Sequence, residues 1–297
     1  MTILLASDPL RSPLEQVVSE YLGRQWRIRE ARDMSDYACH PCAILSDGAS
    51  SVFAKFSDAA NGLDQFEVEL AGLRYLHDRA GIRIPTPIGI IPAPGGTILV
   101  LEAVQAVERT PTRWRQIGRA LARIHQVKGE CFGFAAHGYF GPLHQDNTPA
   151  ADWPTFYVER RLQPGLKEAV DSGNLPPDLA RRVEKIISRF PELCGPETAP
   201  ALLHGDAQQN NYITTERGPV IIDPAVHYGN PEVDLAALAS FQTVPEDVFD
   251  GYREELPIDP GFWERCDFWR LRLYLAAVTV EGPGQLWRLA EAVQKYG

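Results

Sequence analysis

No apolar run in the 297 residues approaches the ~20 that a membrane span needs. The opening apolar stretch, MTILLASDPL, is too short for a signal peptide and no basic segment precedes it, so a cytoplasmic location is expected. Basic charge is in deficit: 29 Lys plus Arg against 39 Asp plus Glu leaves a net charge of −10. Such a field repels nucleic acid, although a local basic patch could still hold a small phosphate compound. Cysteine is scarce and odd in number, five in all, so no disulfide framework is expected. Cys39-His40-Pro41-Cys42 has the spacing of a redox pair or half a zinc site. No second pair at metal spacing follows, and two thiols in a turn between strands is the better reading. Internal repeats and low-complexity segments are absent too. What remains is an ordinary globular composition, 44% hydrophobic and 23% charged. The length suits one large domain or two lobes, with a core that needs no disulfide or structural metal.

The organisation changes along the chain. Residues 13–22 pattern as a short amphipathic helix, and 42–57 as a hairpin turning at Asp47-Gly48. In its second strand Val52, Ala54 and Phe56 share one face, and Phe53 and Lys55 the other. Residues 65–77 predict a helix, Pro85 and Pro87 break the chain, and two further strands flank Pro94-Gly95-Gly96. After residue 103 helices dominate: 112–127, with Trp114, Ile117, Leu121 and Ile124 in one stripe, then 178–190 and 262–280. The expectation is an α+β chain of two lobes: a small β-rich lobe over 1–103 and a mainly helical lobe over 104–297. A cleft between lobes is a favoured ligand site.

Two constellations carry chemistry. His204-Gly205-Asp206 and Asn211 follow one apolar run, and Asp223 follows another, Val220-Ile221-Ile222. A buried carboxylate needs a partner. The hard oxygens of Asp206, Asn211 and Asp223 suit Mg²⁺, and a carboxylate left off the metal can take a hydroxyl proton. Taken singly, each acid could merely cap a turn. The second constellation is Lys55 with Glu69, which lies within the buried stripe of Phe66, Leu70, Leu73 and Leu76 while Glu67 lies at its edge. An inward carboxylate needs a cation, and a lysine so held can meet nucleotide phosphates. Together the two sets describe phosphoryl transfer, in the chain order of the protein-kinase-like fold.

The string HGDAQQNNYITTERGPVIIDPAVHYGNPEVDLA resembles the fructosamine/ketosamine-3-kinase family. The matching positions are His204 to Asp206, Asn211, Ile222 to Ala225, Tyr228-Gly229 and Glu232 to Ala236. Gly118 to His125, Gly141 to Arg161 and Val52 to Leu76 agree as well, so the resemblance covers nearly the whole chain. The related aminoglycoside phosphotransferases usually have Trp after the second aspartate, and Pro224-Ala225 tilts the resemblance toward the ketosamine branch. The resemblance implies a bilobal protein-kinase-like fold and an ATP- and Mg²⁺-dependent kinase acting on a small-molecule or protein-bound glycated amine. It implies Asp206 as base, Asn211 and Asp223 as metal ligands, and Lys55 and Glu69 on the α- and β-phosphates. Glu102, Ala103 and Val104 would hold adenine through backbone groups. Asp234 and His204 would brace the catalytic loop, and His125 reads as a satisfied core histidine.

The chain departs from the family pattern twice. Its phosphate-covering stretch, Asp33 to His40, contains no glycine, and Ser35 is the residue there that offers a hydroxyl. Ala207-Gln208-Gln209-Asn210 stands where the family usually has Leu-Trp-Ser-Gly. Two alternatives therefore stay open: a kinase for aminoglycosides or other hydroxyl compounds, and a nucleotide-binding pseudokinase.

Overall fold

The computed structural model of the chain describes residues 3–37 and 39–296. Helix α1 (Arg11–Leu22) leads to strand β1 (Glu30–Asp33), then β2 (Cys42–Ser46) and β3 (Ser51–Ser57). The β2–β3 turn is closed by Asp47, whose carboxylate accepts from the backbone N–H of Ala49 and Ser50. Helix α2 (Gly62–Ala80) and strands β4 (Pro87–Ala93) and β5 (Gly96–Glu102) complete an antiparallel sheet of order β1-β2-β3-β5-β4. Alternation along β3 sorts its two faces. Val52, Ala54 and Phe56 join Leu14, Val18 and Trp26 under α1. Phe53 packs on the other side with Phe66, Leu70 and Leu73 of α2. Burying each large apolar chain of that stripe contributes about 1.5–3 kcal/mol. β1 was not anticipated: its Glu-Ala-Arg-Asp carries no alternation, as befits an edge strand with little buried surface.

A strap, residues 103–110, leads to α3 (Pro111–Gln126), which starts on a Thr110 cap with Pro in its first turn. Next come the hairpin β6 (Gly138–Phe140) and β7 (Leu143–Gln145), helix α4 (Trp153–Tyr157), a π-turn (Val158–Leu162), α5 (Gln163–Asp171), α6 (Pro177–Ser188) and α7 (Phe190–Leu193). Strand β8 (Ala201–Leu203) pairs with β11 (His227–Gly229), and β9 (Tyr212–Ile213) with β10 (Val220–Ile221). Helices α8 (Glu232–Leu238), α9 (Asp247–Arg253), α10 (Phe262–Glu281) and α11 (Leu286–Tyr296) close the lobe. α3 and α9 touch backbone to backbone: a Cβ on Gly118 would run into Val248 O, and one on Gly251 into Arg115 O. No helix among the described residues is long and apolar enough to cross a membrane.

Candidate active site

The register of β3 turns Lys55 away from the α1 side and toward α2, where Glu69 waits. Lys55 Nζ lies 3.0 Å from both Glu69 carboxylate oxygens and 2.5 Å from Asp223 Oδ1. It is 4% exposed, so this is a desolvated ion cluster and not a surface pair. Burial alone would disfavour the ammonium, but Asp223 and Glu69 more than offset it and raise the lysine pKa. For Asp223 burial pushes upward, yet the attraction of Lys55 wins and holds it ionised below the usual range. Glu69 goes the other way, raised chiefly by burial. Asp223 also has a φ of 52°, the left-handed region that aspartate tolerates better than most residues.

The catalytic-loop candidate sits opposite, just past β8. Asp234, fully buried, accepts from the backbone N–H of His204 (2.7 Å) and Gly205 (3.0 Å). His125 Nε2 lies 3.2 Å from the same carboxylate, and Tyr252 OH is 2.9 Å from His125 Nδ1. The Asp206 N–H donates to His204 Nδ1, so Nε2 carries the hydrogen and donates to Ile222 O at 3.0 Å. Burial lowers the pKa of both His125 and His204, consistent with neutral rings. The imidazole of His204 thereby ties the loop of Asp206 to the strand end that presents Asp223. Ala225 N to His204 O (2.7 Å) and Ile222 N to Asn211 O (3.1 Å) reinforce that tie. Gly205 is required here: its φ is 82° and a Cβ would strike Ala225 O.

Asp206 itself rests on amides. Gln208 Nε2 donates to Oδ1 at 2.7 Å, and Asn211 Nδ2 to Oδ2 at 3.1 Å and to Asp206 O at 2.8 Å. Burial, helped by the charge of Asp223, pushes its pKa up to about 7 against these hydrogen bonds. A carboxyl poised there is well matched to general-base work near neutrality.

Lys55, Glu69, Asp206, Asn211 and Asp223 all line one cleft of about 670 Å³. Sequence reasoning missed its far wall. Tyr139 and Phe140 reach in from the β6–β7 hairpin, Phe241 and Gln242 from beyond α8, and Leu273, Ala276, Val280 and Glu281 from α10. The high overall apolarity of α10 was the one available hint, and it does not say which face meets a cleft. Ser35 is placed differently from the loop role that its hydroxyl suggested. It donates to Asp33 (2.6 Å) and accepts from Cys42 N (3.1 Å), bracing the loop base outside the cleft lining, whereas Asp36, Cys39 and His40 line it. Residue 38 of that loop lies outside the described residues. Where β5 runs into the strap, Glu102 N bonds Thr86 O and Ala103 N bonds Ser51 O. Those two amides are committed, and Val104 N–H has no protein partner among the described residues. Cys39 is exposed and Cys42 buried, both as free thiols.

A sheet lobe joined by one strap to a helical lobe, with polar chemistry converging where they meet, is the protein-kinase-like fold in its small-molecule phosphotransferase form. The fructosamine kinase family model matches residues 11–296, and the chain belongs to that family. It is 32% identical over 284 residues to a probable ketoamine kinase of Synechocystis, covering 93% of this chain and 95% of the relative. A solved structure from Thermobifida fusca, described as a putative fructosamine-3-kinase, superposes with a TM-score of 0.81 at 32% identity, covering 95% of this chain and 97% of the other. The fold alone extends to aminoglycoside phosphotransferase APH(4)-Ia in ternary complex with ADP and hygromycin B. There the TM-score is 0.60 at 15% identity, with 96% of each chain covered.

Proposed function

We propose that the chain is an ATP-dependent ketosamine kinase of the cytoplasm, transferring the γ-phosphate to a sugar hydroxyl of a glycated amine, free or protein-bound. The observation that carries the reading is the convergence of Lys55 and Asp223, 168 residues apart in sequence, at 2.5 Å in the cleft that also holds Asp206. In this reading residues 1–103 form the nucleotide lobe and 104–297 the catalytic and acceptor lobe. Lys55, held by Glu69, meets the α- and β-phosphates. Asp206 orients the acceptor hydroxyl and takes its proton. The strap offers Val104 N–H to adenine.

The donor set fits magnesium. Asn211 spends its amide nitrogen on Asp206, and its Oδ1 has no protein donor among the described residues. Asp223 keeps 33% of its side chain exposed. No group of three or more His, Cys, Asp or Glu at metal spacing exists among the described residues. Few hard oxygens, with phosphates completing the shell, is how Mg²⁺ is held. When bound, the ion neutralises charge on the transferring phosphoryl group. On the acceptor side, Glu281 supplies a carboxylate suited to an ammonium, and Tyr139, Phe140 and Phe241 supply aromatic faces.

The test is magnesium-dependent ADP release against ribulosamine- and fructosamine-type adducts, aminoglycosides and simple sugars. Turnover concentrated in the ketosamines is expected. Turnover confined to aminoglycosides or plain sugars overturns the acceptor assignment, and tight nucleotide binding with no turnover by any acceptor overturns the kinase assignment.

A further inference from the structure

The residue two places after Asp206 has an informative geometry. Gln208 donates one amide hydrogen to Asp206 Oδ1 at 2.7 Å. An amide has a second N–H and a carbonyl oxygen. Neither finds a protein partner among the described residues, although Gln208 is half-buried and lines the cleft. Its neighbour Gln209 is different: it is buried with both amide atoms engaged, Arg109 on its Oε1 at 2.9 Å and Gln242 accepting from its Nε2 at 2.5 Å. Gln209 is structural, while Gln208 keeps a donor and an acceptor open in front of the base.

We infer that Gln208 reads the hydroxyl adjacent to the one phosphorylated, so the acceptor is recognised at this point as a vicinal diol. The inference rests on the kinase reading above. Vicinal hydroxyls in a gauche arrangement are spaced by close to one hydrogen-bond length. The Asp206 Oδ1 and Gln208 Nε2 atoms are spaced the same way. Two parallel hydrogen bonds can therefore form. The reacting hydroxyl donates to Asp206 and loses its proton there as its oxygen bonds to phosphorus and the bond to the ADP oxygen breaks. The neighbouring hydroxyl accepts from the open N–H of Gln208 or donates to Oε1. Gln208 is a specificity-determining residue in this arrangement. It fixes which of several similar hydroxyls faces the base, which a flat apolar side chain at this position could not do by hydrogen bonding. A site that hydrogen-bonds a substrate hydroxyl rejects the analogue that lacks it, because the protein group is left unpaired.

The experiment compares the wild type with Gln208→Met, which keeps length and volume but loses both hydrogen-bonding groups. The phosphorylated carbon is first located by NMR of the wild-type product. The ratio of kcat/KM for the parent acceptor to that for its analogue lacking the flanking hydroxyl is then measured in both proteins. A wild-type preference of roughly tenfold or more that collapses toward unity in Gln208→Met is expected. Calorimetric affinities for the same acceptor pair, with a non-hydrolysable ATP analogue present, should show the same collapse. A residue that merely held Asp206 in place would lower both values together and leave the ratio intact, and that outcome overturns the inference. Should the wild type reject ketosamines yet phosphorylate another polyol, the acceptor reading fails while the Gln208 ratio is still measured on that polyol. A chain that phosphorylates only an isolated hydroxyl overturns the inference for Gln208 alone.

Discussion

The two walls of the cleft hold their carboxylates by opposite means. On the side proposed for the nucleotide, Glu69 and Asp223 share a buried ammonium, at 3.0 and 2.5 Å. On the side proposed for the acceptor, Asp206 is held by two neutral amides, Gln208 and Asn211. A cation beside Asp206 would pull its pKa down and make it a poor base. Amides orient it without that cost, and burial raises it to about 7. In the proposed reading, paired charge thus stands where phosphate oxygens would arrive, and unpaired basicity where a hydroxyl would give up its proton.

The largest expected effect comes from removing the acceptor-side charge. Asp206→Asn should cut kcat by about 10²–10⁴, with nucleotide affinity nearly unchanged in a binding titration. An equal loss of nucleotide affinity would break the division between the walls.

Next is the nucleotide side. Lys55→Ala leaves two half-buried carboxylates facing each other without a cation and should cost about 2 kcal/mol of stability at pH 8 in urea unfolding. With the ammonium gone, the folded-state pKa of Asp223 rises from below its unfolded value and that of Glu69, already raised, rises further. The folded variant then binds more protons than the unfolded chain, so its stability deficit should narrow as the pH falls toward 5. A deficit independent of pH would show that the cluster is not electrostatic in origin.

A smaller effect concerns a buried histidine behind the cleft. His227 is 2% exposed, and its Nδ1 donates to Ala225 O at 3.0 Å. Burial first, then the charge of Arg161, depress its pKa to about 3, while the Ala225 carbonyl and Asp234 pull the other way. A depressed histidine contributes stability that is present above its unfolded pKa, near 6.5, and is lost as the pH falls. At pH 5 the wild type should have lost about 2 kcal/mol through this residue relative to pH 8. His227→Gln should show a shallower acid slope by that amount, and parallel slopes would mean that His227 takes up its proton at no cost to the fold.

Much of this site was legible from residue types and spacing. Lys55 reads inward because its neighbours alternate, and Glu69 reads inward because it sits among Phe66, Leu70 and Leu73. Asp206, Asn211 and Asp223 follow apolar runs at strand ends. The acceptor wall was not legible, because Tyr139, Phe241 and Glu281 meet only through tertiary packing of elements with no common pattern. The Gln208 bond was visible only as a departure from family usage. Ser35 was read from its loop alone, and its hydroxyl bonds the exposed Asp33 because a short turn closes on its nearest acceptor.

The glycine seam between α3 and α9 has a consequence for heat. Gly251 adjoins Tyr252, whose hydroxyl begins the run through His125 and Asp234 to the backbone of His204 and Gly205. Parting the two helices would therefore slacken the loop that carries Asp206. An alanine at Gly251, whose Cβ would meet Arg115 O, is the natural starting point for a heat-sensitive variant.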